Sequence, residues 1–226
     1  YAGNFKMKFS LFSKILFEVP KPIALIESYC FQSDFYKNYD LLLLKGKRKV
    51  EDANKIGARI GEEVLPKCKT VTEGAKDLRI FQYGKYGLDS FLELDDEAIN
   101  DYVNELNERV IKKLLKIKTI GLSKATKVLH TLYPEVIPIL DDNLQREYKR
   151  INPQWTKKHS NQILIDYYKN LREGDNLQNL TQISKTISEN NLVCLTKVMI
   201  FDILWWSYLK AKKLSQEKKI NWSTIK

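Results

Sequence analysis

The stretch DDEAINDYVNELNERVIKKLLKIKTIG (residues 95–121) constrains the fold more than any other. Its apolar side chains Ile99, Tyr102, Val103, Leu106, Val110, Leu114 and Leu115 recur at three- and four-residue steps. That period places one apolar face along an α-helix. Asp95 stands where an N-cap oxygen belongs, and Gly121 where the helix stops. The same period predicts helices over residues 23–31, 50–64, 122–133, 156–174, 176–190 and 192–213. Residues 66–88 are richer in Gly, Lys and Thr, and YGKYG (residues 83–87) reads as a loop. No alternating pattern is long enough to predict a sheet. We therefore expect an all-α protein of two helical lobes with a site between them. Residues 1–94 form an N-terminal helical region contributing to the second lobe. Residues 95–226 carry a hairpin (117–133) and an aspartate-bearing segment (134–150).

Charge bears on partners. Among 226 residues, 38 Lys and Arg stand against 28 Asp and Glu, a net +10. Such an excess favours an anionic partner such as nucleic acid, without requiring one. Cys30, Cys68 and Cys194 are few and far apart. Their spacing matches neither a disulfide framework nor a metal or iron–sulfur site, so we expect a reducing cytoplasm and no cofactor. No apolar run approaches the roughly 20 residues of a membrane span, and the N-terminus does not read as a signal peptide.

The chemistry-bearing segment is GLSKATKVLHTLYPEVIPILDDNLQREY (residues 121–148). A helix ends at KTIG and another starts at once. Free N–H groups at the second helix's start suit a phosphate, and Lys118 and Lys124 flank the turn. After Pro134 the strip EVIPILD is extended, with Pro138 fixing its path. Asp141 or Asp142 then caps the helix NLQREYKR.

These residues resemble the helix–hairpin–helix DNA glycosylase superfamily. Its hairpin pattern, L-P-G-[VI]-G-x-x-[ST]-A, is followed by an apolar strip and a catalytic aspartate. The adenine-removing branch, with P-I-L-D-G-N, looks most similar; here the strip reads Pro138-Ile139-Leu140-Asp141-Asp142-Asn143. The alignment puts Gly121 on the second hairpin glycine, Asp141 on the catalytic aspartate and Ser123 on a second catalytic position, eighteen residues earlier. That position holds lysine in lyase-type members and serine in the adenine-removing branch. Three departures stand out. Lys118 and Thr119 replace a proline and a glycine, Asp142 replaces a glycine, and the iron–sulfur cysteines of many relatives are absent. The match covers roughly residues 117–150.

The resemblance implies a DNA-binding, base-excising hydrolase acting on double-stranded DNA, in the cytoplasm or with the nucleoid of a prokaryote. Lys118, Thr119, Gly121, Ser123 and Lys124 would hold the DNA, with Asp142, Asn143 and Asp202 as secondary residues. It equally allows a DNA-binding or defence module that has lost the chemistry. The residues alone leave other choices open. Asp141 can be only a cap, and Gly121 an ordinary C-cap. Asp202, inside VMIFDILWW, reads as a structural ion pair or as a second carboxylate facing a cleft. Trp205, Trp206 and Tyr208 read as core or as stacking aromatics. KGKRK (45–49) and KAKKLSQEKK (210–219) read as solvated charge or as phosphate-contacting arms. Neither His130 nor His159 is assigned to a metal.

Overall fold

The computed structural model describes residues 6–32, 48–190 and 195–216. Cys194, residues 45–47 of the first basic run and residues 217–219 of the second lie outside them. The chain is mostly helical, as the apolar period predicts. A short hairpin, β1 (Lys6–Leu11) and β2 (Ile15–Pro20), leads into α1 (Pro22–Gln32). After a 3-10 turn (Val50–Ile56) come α2 (Leu65–Glu73), α3 (Arg79–Leu92) and α4 (Asp96–Leu106). A π turn (Asn107–Ile111) carries α4 into α5 (Lys112–Leu115). Then follow α6 (Leu122–Leu132), α7 (Asp142–Ile151), α8 (Ser160–Arg172), α9 (Asn176–Glu189) and α10 (Lys197–Gln216).

The hairpin was not expected. Its antiparallel register pairs Lys6 with Pro20 and Leu11 with Ile15. Met7, Phe9, Leu11, Ile15, Phe17 and Val19 are buried at every second position, the pattern of a ribbon with one dry face. That face packs on α10, with the Phe17 ring 5.5 Å from Trp205 and 6.2 Å from Phe201. The hairpin thus backs the helix that carries Asp202. Asn170 and Asn176 bond to Ser10 and Ser13 and fix it laterally.

Two other stretches differ from expectation. The helix foreseen over residues 50–64 is a 3-10 turn that stops at Gly57, whose φ of 76° is left-handed. Residues 83–87 belong to α3 rather than to a loop, and only Gly87 (φ 85°, ψ 173°) interrupts its helical backbone. Asp95 caps α4 as expected, accepting the Ala98 N–H at 2.7 Å. Buried side chains from both sides of residue 94 join one contiguous core, from Met7 to Trp205.

Candidate functional site

The segment from α5 to α7 is built as a platform. The turn after α5 puts Thr119 at φ 76°, in the left-handed region that strains a β-branched residue. This is the position where the resemblance expects glycine, so the backbone takes a glycine-like shape without one. Gly121 is not the C-cap of the preceding helix. It is the N-cap of α6, with extended backbone at φ −93° and ψ 175°. A Cβ there would meet nothing within 4 Å.

Among the described residues, 137–140 have no strand partner, and side chains bond several of the strip's backbone groups. Leu140 N–H donates to Thr126 Oγ1 at 3.1 Å, and Gln145 donates to Leu140 O at 2.7 Å. The His130 ring bonds Ile137 O, and Tyr168 donates to Val136 O at 2.7 Å. Burial holds the His130 imidazole down to about 4. Buried peptide groups left unpaired would each cost roughly 1–3 kcal/mol, so these four side chains fix the strip's path and the aspartate at its end. Asp141 is the N-cap of α7, accepting the Leu144 N–H at 2.8 Å.

Beside it lies a cavity of about 310 Å³, lined by Tyr29, Lys127, Ile139, Asp141, Asp202, Trp205 and Trp206. Two carboxylates from distant parts of the chain therefore face one pocket. Among the described residues Asp202 forms no ion pair with Lys or Arg, and its partners are neutral donors. Its carboxylate accepts the Ile139 N–H at 3.2 Å and the Tyr167 hydroxyl at 3.4 Å. Burial holds it well above the usual carboxylate range; the nearby charge of Asp141 adds to this, and the two hydrogen bonds oppose it. Burial likewise pushes the Tyr29 phenol up to about 12, with Asp141 adding to the effect. Tyr29 thus stays a neutral donor at physiological pH.

Lys127, which sequence reasoning missed, lines the same pocket. Burial lowers its amine's affinity for a proton, against the pull of Asp141, and its Nζ donates to Gly57 O at 3.1 Å. It stands four residues after Ser123, one turn further along the same helical face. That spacing was the available signal. Ser123 itself does not line the pocket. Lys124 points elsewhere, its Nζ donating to Arg59 O at 3.1 Å. Lys118, Thr119 and Gly121 stay together on the exposed turn outside the pocket. Asp142 is exposed, and Asn143 accepts from Arg146. Trp205 is core and pocket wall at once, whereas Trp206 is partly exposed with its ring 5.8 Å from Tyr29. His130 is buried and bonds the Ile137 carbonyl, and no metal-ligand cluster occurs among the described residues.

A second cavity, of about 580 Å³, lies between α2, α3 and the end of α6. Its carboxylate Glu135 is taken up by a two-pronged bond to Arg48, and its charges are mixed. The smaller pocket is lined by two carboxylates and three aromatic side chains, a combination that suits a reacting site. Comparison with protein-family models, with curated proteins and with solved structures found no match to this chain.

Proposed function

We propose that this protein binds DNA and hydrolyses the N-glycosidic bond of a nucleotide turned into the Asp141–Asp202 pocket. One observation carries the reading: two carboxylates in unlike surroundings share a small cavity walled by Trp205, Trp206 and Tyr29. Pairs of titratable groups whose environments differ divide acid and base roles between them. A flipped base offers a flat face for the aromatic walls.

Asp202, whose burial favours its protonated form, gives its proton to the departing base as the C1′–N bond breaks. Asp141 faces the sugar cation that develops and then takes a proton from the water that adds to C1′. The proton gained by Asp141 restores Asp202. The exposed turn at Lys118–Gly121 supplies N–H groups and charge for a backbone phosphate.

The test is base release from duplex oligonucleotides carrying damaged, mispaired and modified bases, with abasic sites cleaved by alkali. Breaks only after alkali, lost in Asp141→Asn, are expected. Binding without release by any substrate would favour a non-catalytic DNA-binding module. Lys127 supports a second reading. An amine in this pocket could attack C1′, displace the base and form an imine that breaks the strand. Breaks before alkali, with borohydride trapping lost in Lys127→Gln, would select it.

A further inference from the structure

The pocket does not end at Trp206. The same indole borders an open groove of about 720 Å³ between α7 and α10. Asn143, Arg146, Glu147 and Arg150 repeat at three- and four-residue steps along α7 and form one wall. Trp206, Leu209, Lys210 and Lys213 repeat likewise along α10 and form the other. Among the described residues the lining holds five basic side chains, with Lys212 the fifth, and one carboxylate, Glu147, which Arg150 bonds at 3.0 Å. The start of α7 lies at the pocket, and the cations lie downstream of it. From Asp141 to Arg150 the helix runs about 13 Å, the axial rise of about four nucleotides of one strand.

We infer that this groove is a track for the sugar–phosphate backbone of the strand whose nucleotide enters the pocket, with Trp206 packing against the base step at the entrance. The inference rests on the base-excision reading for its substrate and on the groove's own charge for its location. Arg146, Arg150 and Lys210 hold successive phosphates without reading sequence, and the exposed Trp206 offers a stacking face where the strand bends inward.

The experiment is anisotropy of a labelled duplex, titrated with the full chain at several salt concentrations. Replacing both Arg150 and Lys210 with Gln should flatten the salt dependence by about two counterions and weaken binding about tenfold or more. Arg150→Lys with Lys210→Arg should restore both. Lys6→Gln with Lys185→Gln removes the same charge outside the groove and should change neither. If the groove variant matches wild type, the track is overturned and the pocket chemistry is untouched. If wild type shows no salt-dependent duplex binding, the track and the base-excision reading fall together. If the groove variant loses only binding to phosphatidylserine vesicles, the groove belongs to a membrane surface and the inference is wrong.

Discussion

Acid should loosen the segment that carries Asp141, through His130. That side chain is 1% exposed and its ring bonds Ile137 O, holding the strip against α6. Burial lowers its affinity for a proton from the ordinary 6.5 to about 4. As pH falls, the unfolded chain takes the proton before the folded one does. The contribution is therefore complete above about pH 6.5 and is lost progressively down to about pH 4. The gap corresponds to roughly 3 kcal/mol at full expression. Urea unfolding followed by tryptophan fluorescence, at about pH 7.5 and about pH 4.5, measures it for wild type and His130→Asn. Asparagine keeps an N–H for Ile137 O and does not titrate. Wild type should lose about 2–3 kcal/mol more than the variant across that range. Equal losses in the two proteins would refute the role given to this imidazole.

Three further outcomes are expected. Thr119→Gly should stabilise the chain by about 1 kcal/mol, because it relieves a strained left-handed backbone worth about 1–3 kcal/mol and returns part of that as chain entropy; the urea midpoint reads it. Thr126→Val should destabilise by roughly 1–3 kcal/mol by leaving the buried Leu140 N–H without its acceptor, and should lower base release as well, since the strip positions Asp141. Asp202→Asn should abolish release yet raise the melting temperature near neutral pH. Its folded carboxyl holds its proton to higher pH than the unfolded one, so the destabilisation is absent below about pH 4 and grows as the unfolded chain ionises with rising pH.

α1, the helices from α4 onward, both aspartate caps and the turn before α6 were legible because each depends on local periodicity or on one capping oxygen, whereas α2 and α3 lie in a stretch whose Gly, Lys and Thr content hid them. The hairpin over residues 6–20 was missed although Met7, Phe9, Leu11 and Ile15, Phe17, Val19 alternate; six-residue strands give a weak signal beside long helical periods. The stop at Gly57 turned on a left-handed backbone that helical periodicity does not reveal. At the site, Asp141 was identifiable from its place after the strip. Asp202 stood out as a charge in an apolar run, but its hydrogen bonds to Ile139 and Tyr167 come from segments 63 and 35 residues away. Tyr29 and Lys127 reach the same pocket through tertiary packing, of α1 on α10 and of α6 on the 3-10 turn, which no local pattern encodes. Thr119 takes a left-handed backbone that its β-branched side chain gave no reason to expect.

The most direct test asks whether Asp141 faces a developing sugar cation, and it does not require knowing the base. Affinity is compared for two duplexes, one with a cationic pyrrolidine in place of a deoxyribose and one with a neutral tetrahydrofuran abasic analogue. A site complementary to the cation binds the first at least tenfold more tightly, and Asp141→Asn removes that preference while leaving the neutral duplex bound. Equal affinity for the two duplexes, or a preference that survives Asp141→Asn, would contradict a glycosidic site at this pocket.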